Sequence, residues 1–179
     1  MKSIFNEGKK QNIAEVLASK DKRVALQQEI FAKYPNKALV DVNLNVPGPI
    51  KNNHYLEKLF NRGVNELEGK FKRNNFHYQL IKHLDEDTGS ENFYVLDDNA
   101  NGVKKVTTDF EDKTKLGRLF DADVLIKGQS NAISRKDLGY PVRKCFLCNR
   151  PAKECSRSRR HSVSELQDYI SKIYDEEFN

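Results

Sequence analysis

An alternation of acidic and apolar residues at positions 119–126, LFDADVLI, restricts the fold of this chain more than any other feature. Successive side chains of a β-strand point to opposite faces of a sheet. As a strand, the segment therefore places its apolar residues on one face and Asp121 and Asp123 on the other. The apolar face indicates a core, whereas an ionised carboxylate without a partner costs several kcal/mol in an apolar setting. The acidic face must meet water, cations or a metal ion.

The Asp-x-Asp spacing of this segment suits a magnesium site. Residues two apart on a strand lie roughly 6.5–7 Å apart, so the carboxylates of Asp121 and Asp123 can converge on one or two Mg²⁺ ions. Magnesium typically takes one or two protein carboxylates together with substrate phosphate oxygens. The pair thus predicts a metal held against a polyphosphate. Solvent-facing aspartates without a chemical role are the alternative that these two residues alone leave open.

The pattern of apolar residues elsewhere predicts an α+β fold, a mixed β-sheet flanked by helices. Helices are expected over 13–34 (one or two), around 55–67 and over 162–175, and strands within 40–46, 75–84, 92–96, 103–110 and 119–126. The last helix starts at a capping box, with Ser162 as N-cap and Glu165 reaching back to it. The stretch between Asp85 and Asp98 holds six acids and no Lys or Arg, which predicts a solvated loop interrupted by a short strand.

The size and composition of the chain predict a single domain over residues 1–179. Hydrophobic residues make up 37% of the sequence and charged residues 32%, which supports a core beneath a strongly solvated surface. No apolar run approaches the roughly 20 residues that span a bilayer, and the N-terminus lacks the apolar stretch of a secretory signal. We therefore expect a cytoplasmic protein without a membrane partner.

The basic residues are concentrated in one segment. Positions 135–160 hold nine Lys or Arg and two acids, whereas the net charge of the whole chain is +5. Such a segment indicates an anionic partner, and a solvated basic loop is the plainer alternative. The residues expected to bind substrate are Lys51, Arg135, Arg143, Arg157 and Arg160.

All three cysteines lie in a Cys/Arg-rich segment at positions 143–161. With His161, the residues Cys145, Cys148 and Cys155 give the spacing Cys-x2-Cys-x6-Cys-x5-His. Four such ligands suit tetrahedral zinc, so a structural Zn²⁺ site is one expectation. The other is three reduced cysteines packed as small hydrophobic residues, with His161 free to contact phosphate.

Five motifs in a fixed order give the chain a resemblance to a known family. They are VPGPIKNN at 46–53, LFNRGV at 59–64, GRLFDADVL at 117–125, ISRKDLG at 133–139 and RKCFLCNRPAKECSRSRRHS at 143–162. Together they resemble the holo-citrate lyase synthase family, the apo-citrate lyase phosphoribosyl-dephospho-CoA transferases. The resemblance implies a nucleotidyltransferase-like active strand. It also implies transfer of the prosthetic group from triphosphoribosyl-dephospho-CoA to a serine of the apo acyl carrier (gamma) subunit of citrate lyase, with release of diphosphate.

This reaction gives the charged residues of the site specific roles. We expect Asp121 and Asp123 to hold Mg²⁺ on the triphosphate and Arg118 to clamp one of its oxygens. Either aspartate, or another carboxylate such as Asp109 or Asp112, is expected to accept the serine proton. In the family pattern a His-Pro pair often precedes Gly-Arg-Leu, whereas Thr114 and Lys115 stand there in this chain.

Two alternative functions remain from the sequence. One is the same transfer to another carrier protein, such as that of malonate decarboxylase. The related transferase that acts there is also of the nucleotidyltransferase class. The other is a basic nucleic-acid-binding module. Tyr140 and Phe146 are the only aromatic residues of the basic segment, which is poor for stacking bases, so no nucleic-acid partner is expected.

Overall fold

The structure, a computed structural model, describes residues 1–179 as a four-stranded sheet with five helices. In chain order the elements are α1 (Ile13–Lys33), β1 (Ala38–Leu44), α2 (His54–Arg73), β2 (Tyr78–Glu86), β3 (Gly89–Leu96), α3 (Ala100–Lys113), β4 (Phe120–Leu125), α4 (Ala152–Ser158) and α5 (Val163–Phe178). The α+β class predicted from the sequence is confirmed. No helix is long and apolar enough to cross a membrane.

The strand order is β2-β3-β1-β4, and every neighbouring pair is antiparallel. The expectation of a mixed sheet was therefore wrong. Strands β2 and β3 form a hairpin closed by the two-residue turn Asp87-Thr88, after which Gly89 adopts a φ of +135°. This hairpin occupies most of the acidic stretch that was expected to be a loop, because a tight turn joins strands with few residues.

The two faces of the sheet are covered differently. One face packs against α2 and α3 in the main core of 25 buried residues, which includes Val42 and Ala122. On the other face, Ile30 of α1 packs with Leu39 and Phe93 in a smaller cluster. Alternation along the strands puts the carboxylates of β1 and β4 on this second face, beyond the end of the smaller cluster.

Two glycines allow the backbone to approach β4 closely. A Cβ at Gly63 of α2 would lie 2.2 Å from the ring of Phe120, the first residue of β4. A Cβ at Gly117 would lie 1.8 Å from the carbonyl oxygen of Phe110 in α3. Any larger residue at either position would therefore push the strand away from its supporting helices.

Segment 103–110 is part of helix α3, and the strand predicted there was wrong. Val106, Thr107 and Thr108 favour strands intrinsically, but Val103, Thr107 and Phe110 recur at helical spacing and are buried. The side chain of Asn99 caps the helix by accepting from the N–H groups of Asn101 and Gly102. Packing on the sheet thus outweighs the local preference of the segment.

The helices predicted near the N-terminus and the C-terminus are both present. Helix α1 is a single helix, and the capping box at Ser162 and Glu165 is present at the start of α5. Helix α5 runs on to Phe178, beyond the predicted end at position 175. Helix α4 lies inside the Cys/Arg-rich segment, where no element was predicted.

Candidate active site

Three carboxylates lie on the face of the sheet that helix α1 partly covers. Asp121 and Asp123 project from β4, and the register places Asp41 of β1 directly opposite Asp123 and Asn43 opposite Asp121. Side chains opposite each other in an antiparallel pair have Cβ atoms about 4.5–5.5 Å apart. The alternation of buried and accessible residues predicted for β4 is confirmed, and Asp41 adds a third acid to the same patch.

Asp41 is a candidate that spacing along the sequence did not reveal. Its exposed fraction is 2%. One carboxylate oxygen, Oδ2, accepts a hydrogen bond from Gln27 Nε2 at 2.8 Å and lies 3.6 Å from Arg23 Nε. The other, Oδ1, is buried without a hydrogen-bond partner. Burial, reinforced by the carboxyl group of Glu91, raises the pKa of Asp41 well above its ordinary value.

Asp123 is the more accessible member of the pair on β4. Partial desolvation, followed by the negative charge of Asp121, raises the pKa of Asp123 above its ordinary value. Asp41, Asp121 and Asp123 do not form a preassembled group of metal ligands. A cation here would favour the ionised carboxylates, and water or substrate oxygens would have to complete its coordination.

Glu111 of α3 holds the strand segment between the two aspartates. Its Oε2 accepts a hydrogen bond from the backbone N–H of Ala122 at 3.1 Å. Because β4 is an edge strand, this N–H has no partner strand on the outer side. Glu111 is 5% exposed, and burial raises the pKa of Glu111 although Arg143 and Ala122 act in the opposite direction.

Arg143 joins this edge to Asp121. Its Nη1 donates to Glu111 Oε2 at 3.1 Å and also to Asp121 Oδ1. Its Nη2 donates to the backbone oxygens of Arg118 and Phe120, at 3.0 and 2.6 Å. Arg143, expected from the sequence to bind substrate, thus orients Asp121 and closes the outer edge of β4.

Arg135 and two of the alternative proton acceptors are engaged elsewhere on α3. Arg135 donates to Asp112 Oδ1 at 2.7 Å and to Glu111 Oε1 at 3.1 Å. Asp109 pairs with Lys113 at 3.0 Å. The side chain of Arg135 is 12% exposed, so its guanidinium anchors the loop after β4 and is not aimed at open solvent.

Arg118 faces the cysteine segment. Its Nη2 donates to the backbone oxygen of Cys145 at 2.9 Å and to Asn149 Oδ1 at 3.3 Å. Before it, the turn into β4 is held by Thr114, whose hydroxyl accepts from Gly117 N–H and donates to the Phe110 oxygen. Thr114, one of the two residues at which the resemblance implied a His-Pro pair, therefore supports the turn.

Lys51 lines a polar pocket of about 40 Å³, together with Arg23 of α1 and Asn43 of β1. Its Nζ donates to the backbone oxygen of Val46 at 2.7 Å. Burial, and then the positive charge of Lys20, lowers the pKa of Lys51 from its ordinary value. Because Asn43 lies opposite Asp121, the pocket opens beside the carboxylates.

The four predicted zinc ligands are brought together. The ligand atoms of Cys145, Cys148, Cys155 and His161 all lie within 4.8 Å of one another. A tight turn presents the first two cysteines, with Asn149 N–H donating to the Cys145 oxygen at 3.0 Å. Cys155 comes from α4, and His161 directly precedes the N-cap of α5. This group, the Cys3His cluster, is a candidate metal site.

The Cys3His cluster contains groups whose burial and charge a metal ion would satisfy. A hydrogen bond from the Arg150 backbone, together with His161, lowers the pKa of Cys148 to about 6. Desolvation raises the pKa of Cys155 to about 11. The Nε2 of His161 is buried and has no hydrogen-bond partner. A bound cation would satisfy this nitrogen and favour the thiolate form of all three cysteines.

Arg157, in the last turn of α4, and Arg160, between α4 and α5, were also expected to bind substrate. Both are exposed, and neither forms an ion pair with Asp or Glu. Arg159, between them in the sequence, is the C-cap residue of α4. These arginines leave an uncompensated positive charge near the Cys3His cluster.

Comparison with known proteins agrees with the resemblance seen in the sequence. The family model of apo-citrate lyase phosphoribosyl-dephospho-CoA transferase matches residues 11–177. A probable transferase of this name from Streptococcus pyogenes serotype M18 is 33% identical over 180 residues, which cover 99% of this chain and 93% of the relative. The transferase from Citrobacter koseri is 33% identical over 155 residues, which cover 87% of this chain and 84% of the relative.

A longer relative contains a similar region. Protein CitXG from Leuconostoc mesenteroides subsp. cremoris is 34% identical over 172 residues, which cover 94% of this chain and 36% of that protein. The family match nevertheless spans nearly the whole of this chain and includes both the aspartate strand and the Cys3His cluster. The chain belongs to the apo-citrate lyase phosphoribosyl-dephospho-CoA transferase family.

Proposed function

We propose that this protein transfers the phosphoribosyl-dephospho-CoA group from triphosphoribosyl-dephospho-CoA to a serine of the acyl carrier (gamma) subunit of apo-citrate lyase. Membership of the family supports a transferase that acts on apo-citrate lyase. The observation that carries the proposal is the pair Asp121 and Asp123 on an edge strand, fixed from outside by Glu111 and Arg143. Two carboxylates on one strand, one of them held by Arg143 and the other accessible, suit a reaction on a triphosphate.

The transfer forms one bond and breaks another. The serine oxygen forms a bond to the phosphorus next to the ribose, the bond from that phosphorus to diphosphate breaks, and the serine proton passes to a base. Asp112 and Asp109 are both held in ion pairs on α3. Asp123 is therefore the stronger candidate for accepting the proton, because it forms no ion pair, is accessible and has a raised pKa, whereas Asp121 pairs with Arg143.

The oxygen donors of the site fit magnesium. Asp121 and Asp123 would hold Mg²⁺, which would neutralise charge on the triphosphate and on the departing diphosphate. Asp41 places a third negative charge opposite Asp123. Arg143 keeps Asp121 in position, and Lys51 and Arg23 add positive charge at the pocket beside Asn43.

We assign the Cys3His cluster to structural zinc. Three sulfurs and one imidazole nitrogen within 4.8 Å match the ligand set of tetrahedral structural zinc sites. The backbone oxygen of Cys145 accepts from Arg118, so an ordered cluster holds the start of β4. The three free cysteines also agree with our prediction of a cytoplasmic protein, since reduced thiols are typical of that compartment.

The exposed arginines form the surface at which we place the carrier. Arg157 and Arg160 have no acidic partner within this chain, and acyl carrier proteins are usually acidic. Complementary charge speeds encounter and makes it sensitive to salt. Docking there would bring the acceptor serine to the side of β4 on which Arg143 lies.

The experiment that tests the proposed function measures the intact mass of the purified apo acyl carrier subunit. It is incubated with this protein, triphosphoribosyl-dephospho-CoA and Mg²⁺, and the expected result is a gain equal to one phosphoribosyl-dephospho-CoA group. Asp123→Asn should abolish the gain, and Asp175→Asn, at an exposed acid near the end of α5, should retain it. A gain on the carrier of malonate decarboxylase alone would show that the acceptor is wrong.

A further inference from the structure

A large cleft lies between the Cys/Arg-rich segment, the start of α5 and the end of β1. Its volume is about 580 Å³, within the range of about 300–1,000 Å³ found for sites of organic ligands. Residues from all three parts line it, among them Asn45, Arg143, Phe146, Arg159, Val163 and Leu166. Three residues of the Cys3His cluster, Cys145, Cys155 and His161, form part of its wall. We call it the 143–166 cleft.

The 143–166 cleft begins where the aspartate strand begins. Arg143 lines the cleft and donates to Asp121. Asn45, which also lines the cleft, donates its backbone N–H to the Leu119 oxygen at 2.8 Å, one residue before β4. Arg143 and Asn45 therefore connect the cleft to the start of the aspartate strand.

The lining has the composition expected for an organic anion. Phe146, Val163 and Leu166 offer apolar surface, and Arg143, Lys144 and Arg159 offer positive charge. No acidic residue lines the cleft. The polar pocket beside Lys51 differs, because it contains Glu86 and Glu91 and holds only about 40 Å³. The two sites therefore suit different parts of a ligand.

The backbone at Arg159 gives independent support for a binding role. Arg159 has a φ of +48°, a left-handed conformation that glycine adopts readily and arginine rarely adopts. Its side chain is exposed and lines the cleft, and it forms no ion pair. Glycine would serve the turn after α4 with less strain, so the turn alone does not account for an arginine at this position.

We propose that the 143–166 cleft binds the dephospho-CoA arm of the donor, an adenine nucleotide diphosphate joined to pantetheine. Arg159 and Lys144 contact its diphosphate, and the apolar wall packs against the base or the pantetheine chain. The triphosphate then extends past Arg143 to Asp121 and Asp123. This inference rests on the proposed function and names the part of the donor that the cleft recognises.

The test measures the binding of dephospho-CoA itself by isothermal titration calorimetry. This probe lacks the reactive triphosphate, so the measurement does not depend on transfer. Arg159→Gly should weaken binding about tenfold, because a charge-assisted contact is lost, while the melting temperature stays the same or rises. Lys153→Gln, a change of an exposed lysine on α4 that does not line the cleft, should leave the affinity unchanged.

A second variant blocks the cleft without changing its charge. Leu166→Trp places a larger apolar side chain in the lining and should reduce dephospho-CoA binding at least as much as Arg159→Gly does. Wild-type protein that fails to bind the probe at millimolar concentration would overturn the assignment. Equal affinity in wild type, Arg159→Gly and Leu166→Trp would also overturn it.

The two proposals fail in distinguishable ways. Binding that follows these expectations without any modification of the carrier would contradict the proposed acceptor and keep the nucleotide site. Normal transfer together with unchanged affinity for dephospho-CoA in both cleft variants would support the proposed function. It would refute the proposal that the cleft binds dephospho-CoA. Arg159→Gly protein that loses affinity for the carrier alone would identify the cleft as a carrier-binding surface, and the proposal would be wrong.

Discussion

Glu111 Oε2 accepts a hydrogen bond from the backbone N–H of Ala122 at 3.1 Å, on the one residue that separates Asp121 from Asp123. The same carboxylate also accepts hydrogen bonds from the guanidinium groups of Arg135 and Arg143. A buried acid on α3 thus fixes the backbone of the edge strand and, through Arg143, the side chain of Asp121. The position of the aspartate pair depends on a residue that needs no contact with substrate.

We predict that Glu111→Ala destabilises the protein strongly. The change takes one carboxylate partner from Arg135 and Arg143, which keep Asp112 and Asp121, and leaves the backbone N–H of Ala122 without its partner. Each buried polar group that loses its partner costs about 1–3 kcal/mol. Urea unfolding followed by circular dichroism should show this loss, with a smaller loss in Glu111→Gln. Glu154→Ala, at an exposed acid on α4, should change the free energy of unfolding by less than about 0.5 kcal/mol. Comparable stability of Glu111→Ala and wild type would contradict this account.

Replacing Asp121 and replacing Asp123 should affect the stability of the protein differently, although both residues are needed for activity. Asp123→Asn removes a carboxylate whose pKa is raised by desolvation and by Asp121, so the melting temperature at pH 8 should stay the same or rise. Asp121→Asn weakens the pair with Arg143 and should lower it slightly, since partly exposed pairs contribute only about 0–1 kcal/mol. Carrier modification should fall at least about a hundredfold in both variants. Full activity in either one would refute the metal-holding role.

Asp41 should make stability depend on pH. Its pKa in the folded state lies above the ordinary value, so over the interval between the two values the folded protein binds a proton that the unfolded chain lacks. The free energy of unfolding therefore decreases as pH rises through that interval. The free energy of unfolding of Asp41→Asn minus that of wild type should therefore be larger at pH 8 than at pH 5. Urea unfolding at both pH values measures this difference. Asp137→Asn serves as the control, and an equal effect at both pH values for Asp41→Asn would contradict the prediction.

Local periodicity was enough to predict the strands and helices in which burial and intrinsic preference agree. The alternation in β4 and the capping box of α5 are examples. Segment 103–110 was assigned wrongly because its Val and Thr residues favour strands, whereas their spacing buries one helical face against the sheet. In that segment tertiary packing decides the structure, and a single sequence does not display it.

The same distinction applies to the site. Asp121, Asp123 and the four residues of the Cys3His cluster are recognisable because their spacing along the chain carries the chemistry. Asp41 and Glu111 are separated from β4 along the chain and reach it through strand register and helix packing. Nothing in the sequence near them indicates that partnership. Likewise, a single sequence does not distinguish an arginine that binds substrate from one, such as Arg143, that orients an aspartate.

The Cys3His cluster links metal binding to the aspartate strand through Arg118. Arg118 Nη2 donates to the Cys145 oxygen at 2.9 Å, and its own backbone oxygen accepts from Arg143. If zinc orders the turn at Cys145, then its loss should loosen both arginines. The effect should reach Asp121, although no cysteine touches that residue.

We predict that the purified protein contains one zinc ion per chain, measurable by inductively coupled plasma mass spectrometry. Removing it with a zinc-selective chelator in excess Mg²⁺ should lower the melting temperature by several degrees, because structural zinc contributes directly to folding free energy. His161→Ala should reduce the zinc content and the rate of carrier modification. His77→Ala, at an exposed histidine directly before β2, should change neither the zinc content nor the rate. Metal-free protein with unchanged melting temperature and activity would show instead that the cysteines pack as reduced thiols.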